Sequence, residues 1–459
     1  MTTSNPTPAT KRWKILLIIG LSLVPLALLL VYYFQDEPLR PEVKQKLEWK
    51  PDPKAFDDNG YLVLLGQAAP ETGDAHELGK QLLQAQLKLF DQNRPQKDWQ
   101  DLAEKMHDKK QDRYREQFCQ YQKNHCVSYY LQQRTVMNAI LADSAMQQKR
   151  FAAIFNARNF TEVALPVVHA PIAWWSYIVN GAELSRVRAI YETTDGRAQE
   201  GVRHLAETAR FSRAVLRQSS TLLSHMIAIA MIHRDMRILG ELVQAYPALA
   251  KTHERELMEI ARPVSVSEFS FKKALAYEEV MRLITFNRLL QGEDEEGDKW
   301  WFKYLYRRNT TLNKVSRWDV RIQEIAEVPA DRLDAAWAEI EEASKKEMDI
   351  NGMWSDIGNF VGNVLANISF PSFYISYFQR QHDIDGYARL VGLQVKLKAA
   401  GTPPDKIPEA INAAGDAFFD PYTRKPMEWD AASGQLRFQG RQRATHNLNG
   451  NNLFTVAFK

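Results

Sequence analysis

RHLAETARFSRAVLRQSSTLLSHMIAIAMIHRDMRILGELVQAY, residues 203–246, is the longest helical pattern in the chain and decides its class. Its middle, residues 222–232, is apolar nearly all round apart from Ser224 and His225. Helices of that kind are buried in a large core or cross a membrane. Arg217 and Arg234 bracket only 16 uncharged residues, several of them Ser, Thr or His, too few and too polar for a span. A central buried helix of a mainly α protein is therefore expected.

Working outward, residues 76–90 and 99–121 are charged and amphipathic, and 127–155 continue with few breakers. Further helical patterns cover 271–290, 330–348 and 377–400. This succession predicts antiparallel helices joined by short loops, a multi-helix domain of helical hairpins over residues 61–400. The acidic run 293–298 reads as a solvated loop. Beyond Gly401 the character changes: TPPDKIP is loop-like, and PYTRKPMEWDAASGQLRFQG and LFTVAF read as short strands with Ser433-Gly434 as a turn. Residues 401–459 are thus expected to form a loop and a small C-terminal antiparallel β element.

At the other end, Ile15 to Phe34 (ILLIIGLSLVPLALLLVYYF) are 20 residues without a charge. At ~1.5 Å per residue they match a ~30 Å hydrocarbon core. Lys11, Arg12 and Lys14 precede the run and Asp36 and Glu37 follow it, which predicts a cytoplasmic basic tail (1–14) and a transmembrane helix (15–34) with the rest of the chain on the far side. A cleaved signal peptide is the alternative, but its apolar core is ~7–15 residues long and ends in small residues. Here Tyr32, Tyr33 and Phe34 close the run and suit a membrane interface. Residues 35–60, with four prolines and many charges, read as a stalk.

The net charge of +3 reflects 59 Lys+Arg against 56 Asp+Glu, and the first 34 residues hold three of the basic residues and no acidic one. The remainder balances at 56 against 56. An evenly mixed, neutral domain lacks the basic face of a nucleic-acid binder. Nucleic acid is not an expected partner.

Two other uncharged stretches compete as spans. Residues 163–182 (VALPVVHAPIAWWSYIVNGA) contain Pro166, His169 and Pro171, which would leave backbone groups unpaired in lipid. A buried core segment is expected, with a surface loop dipping into the interface through Trp174 and Trp175 as the alternative. In residues 357–379, Ile357, Phe360, Val361, Val364, Leu365 and Ile368 line one helix face until Pro371. The opposite face, Gly358, Asn359, Gly362, Asn363 and Asn367, lets a helix pack closely on another element.

Cys119 and Cys126 are the only cysteines, and the expected far-side compartment favours a disulfide. On one continuous helix, positions seven apart are ~10.5 Å apart along the axis, beyond the ~7 Å Cα limit for a bridge. The chain must turn between them if they bond, and Asn124-His125 is the expected place, stapling the mouth of a helical hairpin. A zinc site with His107 or His125 lacks paired ligand spacing, so no metal and no cofactor is expected.

Catalytic signatures are scarce. His233-Arg234-Asp235 matches a kinase catalytic tripeptide, but the Leu and Asn required downstream are missing and no glycine-rich phosphate loop precedes it. His225, His233 and Asp235 are the catalytic candidates, as residues that could line a cleft. Eight residues of helix put the two histidines ~12 Å apart, so satisfied core histidines are the competing reading. Arg213 and Arg217, one turn apart, could clamp an anion or pair with acidic residues of neighbouring helices.

Phe419-Asp420-Pro421-Tyr422-Thr423-Arg424-Lys425-Pro426-Met427-Glu428-Trp429 and Gln435-Leu436-Arg437-Phe438 resemble a tail of Gram-negative envelope proteins, in which a DPYTGKP turn feeds a terminal hairpin. Pseudopilin-like proteins have a similar ending. Arg424 stands where that tail has Gly, and the early glutamate and processing site of pseudopilins are missing. The wider arrangement, with Asn59-Gly60-Tyr61 after an anchor and Gln381-His382-Asp383-Ile384-Asp385 opening a late helix, is similar to uncharacterised single-pass inner-membrane proteins. The resemblance implies inner-membrane localisation, a periplasmic domain and no particular activity. The expected function is a binding or structural role toward another envelope protein, without identifiable catalysis. The alternative is a membrane-tethered hydrolase of a cell-wall or lipid substrate.

Overall fold

In a computed structural model of the chain, the described residues are Pro25, 35–106, 114–288, 305–347, 356–368, 373–442 and 452–458. The expected anchor from Ile15 to Phe34 (Pro25 apart), the acidic run 293–298 and His107 lie outside them. Among the described residues no helix is long and apolar enough to cross a membrane. The protein is mainly helical, 69% helix, with one small antiparallel sheet at the C-terminus, so the helical class holds. It divides into two compact units.

Unit 1 draws on Met1–Glu48, Arg282–Trp318 and Glu342–Phe370. Within the segment read as a stalk, residues 35–48 belong to this unit. Helix α1 (Pro41–Leu47) begins at Pro41, whose fixed φ suits a first helical position. Its Val43 is fully buried with Leu283, Phe286, Leu312, Val315 and Ala366, an apolar cluster assembled from three distant stretches of sequence. Leu39 and Leu47, one helical turn to either side of Val43, pack against the same cluster, whose other members lie 240 or more positions away. In the uncharged stretch 357–379, a 3-10 turn (Ile357–Asn359) leads into the helix Phe360–Ile368. Its small-residue face does pack closely, since a Cβ on Gly362 would come within 1.9 Å of Thr311 Oγ1.

Unit 2 holds the longest helices. The pattern over 203–246 is two helices, α2 (Ala198–Gln218) and α3 (Leu222–Ala245), interrupted at Ser219–Thr221. The break has a local cause: Thr221 and Ser224 form a reciprocal capping box that starts α3. A long-range one reinforces it. Buried Glu162 accepts from the Ser220 and Thr221 backbone N–H groups (2.6 and 3.1 Å) and from the Ser224 hydroxyl (2.6 Å). The helix preceding α2, Ser176–Thr194, is largely buried all round, so it lacks the one-sided stripe by which a surface helix is recognised.

α3 runs beside α4 (Tyr374–Ala399) in the same direction. Met226 meets Arg380 near the start of both, and Gly240 approaches Gln394 near their ends. The sheet lies against this pair in the order β1 (Glu428–Asp430), β2 (Gln435–Gln439), β3 (Leu453–Ala457). Leu436 opposes Val456, and Phe438 opposes Phe454; all four are buried, on one face as the period of two requires. Phe438 fits only because Gly386 of α4 has no side chain: a Cβ there would come within 2.2 Å of its ring. Gln394 ties the layers by donating to Gly240 O (3.2 Å) and Ala457 O (2.8 Å).

The turn before β1 is held by Asp420, whose carboxylate accepts from the Tyr422 N–H (2.7 Å) and whose N–H reaches Lys425 O (2.9 Å). Arg424 takes φ +56°, the left-handed region that glycine enters most cheaply. Residues 163–182 form no span. Leu165, Ala173 and Trp175 are buried and Trp174 half-buried, while Val168 and Ile172 on the intervening loop are 68% and 64% exposed.

Candidate functional site

A cavity of about 970 Å³ opens in unit 2 between the start of helix Ser176–Thr194, the first half of α3, the start of α4, and the loop carrying the cysteines. Cys119 and Cys126 lie at disulfide distance, with Cα atoms 5.6 Å apart. The chain turns between them as the spacing demanded, but at Gln120–Asn124, where the Lys123 and Asn124 N–H groups both reach Gln120 O. Helix Cys126–Gln132 starts at the second cysteine, so the bridge joins a loop to a helix rather than two hairpin helices.

That loop leans on a buried charge network. The Cys119 N–H donates to the Tyr130 hydroxyl (2.9 Å), and Tyr130 and Tyr121 both donate to Glu183 Oε1 (2.5 and 2.7 Å). Arg186, fully buried, bonds Asp235 through Nε (2.7 Å), Glu183 through Nη1 (3.1 Å) and Met231 O through Nη2 (3.1 Å). Ser212 donates to the other Asp235 oxygen (3.0 Å). Burial pushes the Asp235 carboxyl up and Arg186 pulls it back. Burial alone would lower the Arg186 pKa, but the charges of Asp235 and Glu183 raise it, so the guanidinium stays charged. Arg234 sits 3.5 Å from Glu183 and over the Tyr121 ring (5.2 Å), joining this network to the cavity wall.

The catalytic candidates are not brought together. Asp235 is consumed by Arg186 and Ser212 inside the core. His225 is 1% exposed, with Nδ1 3.0 Å from the Ser219 hydroxyl and its ring 4.0 Å from that of Phe271. Burial lowers its pKa to about 3, so it is neutral. Of the three, His233 alone faces the cavity, its ring 5.1 Å from Tyr387 and 6.0 Å from Phe454.

Arg213 and Arg217 do hold an anion, and it is internal. Glu268, 4% exposed, accepts from Arg213 (3.1 Å), Arg217 (3.0 Å) and Arg262 (2.9 Å to each oxygen). Among the described residues no cluster of three or more His, Cys, Asp or Glu side chains is placed to hold a metal.

The cavity wall itself joins apolar groups of Val179, Ile227, Ile229 and Phe454 to a cationic side. Arg115 and Lys123 are exposed at the rim, and Arg234 and Arg380 are half-buried. Arg380 donates through Nε to Gln442 Oε1 (2.9 Å) and through Nη1 toward Met226 Sδ (3.8 Å). Neither partner carries charge, and burial lowers its pKa. The acids here are Glu116 and Asp383. Asp383 is occupied, accepting from the Tyr422 hydroxyl (2.6 Å), the Arg441 N–H (2.9 Å) and the Gln442 N–H (3.0 Å). It pins the chain leaving β2 to α4.

Sequence reasoning missed Arg186, Glu183 and Arg380. An arginine inside a pattern that reads as buried was the one available signal for the first. No protein family, curated protein or solved structure matches this chain.

Proposed function

We propose that the chain is a membrane-tethered binding protein of the bacterial envelope, held by residues 15–34, whose unit 2 cavity takes an amphipathic anion. The observation that carries the ligand class is Arg380, a half-buried guanidinium whose side-chain partners are neutral, at the edge of an apolar wall. A carboxylate or phosphate there would gain a charge-assisted hydrogen bond while its hydrocarbon part covers Val179, Ile227 and Phe454. The cavity volume lies in the range of small-molecule sites. Support for the envelope setting is sequence-based: the uncharged run, its basic flank and the C-terminal tail. The hydrolase reading draws less support, because neither His225 nor Asp235 lines the cavity, and Asp235 is bonded by Arg186 and Ser212 in the core.

The test uses full-length protein in nanodiscs, titrated calorimetrically with octanoate and with octanol and referenced to empty nanodiscs. Octanoate should bind more tightly, and Arg380→Met should weaken octanoate by about 10- to 100-fold, from the ~1.5–3 kcal/mol of a charged hydrogen bond, with octanol unchanged. Equal binding of the two compounds by the wild type, or an unaltered octanoate affinity in the variant, would refute the proposal.

A further inference from the structure

The segment that follows the proposed anchor is bonded to unit 1 from its second residue. Asp36 accepts from the Asn309 N–H (2.7 Å) and from the Thr310 N–H and hydroxyl (both 2.9 Å), capping the start of α5 (Arg308–Ile325). Glu37 accepts from Asn313 Nδ2 (2.8 Å), and the Arg40 N–H donates to Asn313 Oδ1 (3.1 Å). Val43 then enters the apolar cluster. Residues 36–43 are thus engaged along their length and leave no free chain to act as a spacer.

Covalent geometry turns this into a distance. Asp36 is two residue steps beyond Phe34, and an extended chain covers at most ~3.6 Å per step, so Asp36 lies within about 7 Å of the end of the proposed span. The headgroup layer on one side of a bilayer is roughly 5–7 Å thick, half the difference between the total and hydrocarbon thicknesses. Whatever is bonded to Asp36 therefore sits at that layer. The groups around it suit the place. Among the described residues, the Arg308 guanidinium donates to two neutral amides, Asn287 Oδ1 (2.6 Å) and Asn309 Oδ1 (2.7 Å). Arg307 pairs with Asp356 (3.4 Å) and its N–H donates to Asn359 Oδ1 (2.7 Å), which brings Ile357, 45% exposed, to the same end of the unit.

We infer that this end of unit 1, around the start of α5 with Arg308 and Ile357, rests directly on the phospholipid headgroups at the foot of the anchor. The inference depends on residues 15–34 being the membrane span. It replaces a domain lifted on a stalk by one seated on the bilayer, with Arg308 facing lipid phosphate.

Full-length protein in nanodiscs tests it, with cysteines introduced one at a time, a fluorophore attached under non-reducing conditions, and headgroup-spin-labelled lipid as quencher. Gln35→Cys reports on the anchor and Ile357→Cys on the seated face; both replace exposed residues. Lys346→Cys is the distal control. It neighbours Glu347, which accepts from Trp318 Nε1 (3.2 Å), ten residues and ~15 Å along α5 from Arg308. Labels at 35 and 357 should be quenched at least ~twofold more than the label at 346, as expected for sites inside a headgroup layer and beyond it. Quenching at 35 without quenching at 357 would overturn the seating and leave the anchor standing. No quenching at 35 would overturn both.

Discussion

Acidification should weaken unit 2 through His225, by an amount that can be worked out. The imidazole is 1% exposed, bonded to Ser219 and stacked on Phe271, and burial lowers its pKa from 6.5 to about 3. Its folded pKa is depressed, so between those values the unfolded chain binds a proton that the folded chain refuses. Stability is then full above pH 6.5 and is lost as the pH falls toward 3. From about pH 7.5 to about pH 5.5 the unfolded imidazole goes from roughly 10% to roughly 90% protonated while the folded one stays neutral. That is about a tenfold change in the unfolding constant, or roughly 1.4 kcal/mol. His382, lowered by burial to about 4, acts in the same direction. Asp235, Asp383, Asp385 and Glu162 are raised by burial and act in the opposite direction, so the wild-type slope alone is not diagnostic. The assay is therefore a difference: urea unfolding of wild type and His225→Asn at both pH values, followed by helical circular dichroism. The variant should lose about 1.4 kcal/mol less than the wild type over that interval. Equal losses would show that His225 is not held neutral and would refute the reasoning.

Arg186→Met should cost about 3–5 kcal/mol in urea unfolding, because it strands Asp235 and Glu183 in the core without their shared guanidinium. Adding Asp235→Asn should recover part of that loss; a single-variant loss below about 1 kcal/mol would contradict a charged network. Replacing Cys119 and Cys126 together by alanine should lower stability by about 2 kcal/mol, the chain-entropy value for so short a loop, read as a fall in thermal midpoint. Free-thiol labelling of the unreduced wild type should modify neither cysteine.

Much of the secondary structure could be read locally. Residues 76–90, 271–290 and 377–400 follow the helical period and are helices within a few positions in the described residues, and Leu436 with Phe438 alternates as a buried strand face. These signals arise between neighbours three, four or two positions apart, and a sequence displays such neighbours directly. The break at Ser219–Thr221 was harder, because Glu162, which holds it open, lies 58 or more positions upstream. The candidate site was least legible. His225 and Asp235 stood out as chemical groups, yet whether a polar side chain is a reagent or a satisfied core group depends on partners that the sequence does not place nearby.

The sequence by itself determined the helical class, the terminal strands and the need for a turn between Cys119 and Cys126, since each follows from backbone geometry over a few residues. Tertiary structure decided the rest. It joined Arg186 to Asp235 across 49 positions, gave Glu268 to the arginines read as an anion clamp, and left Arg380 at a cavity bonded to the neutral Gln442. It also bonded residues 36–43, within the segment read as a stalk, to the start of α5 and to a distant apolar cluster. The physical reason is common to all of these. Desolvating a charge or an apolar side chain changes its energy only through what surrounds it, and those surroundings are assembled from segments far apart in the chain.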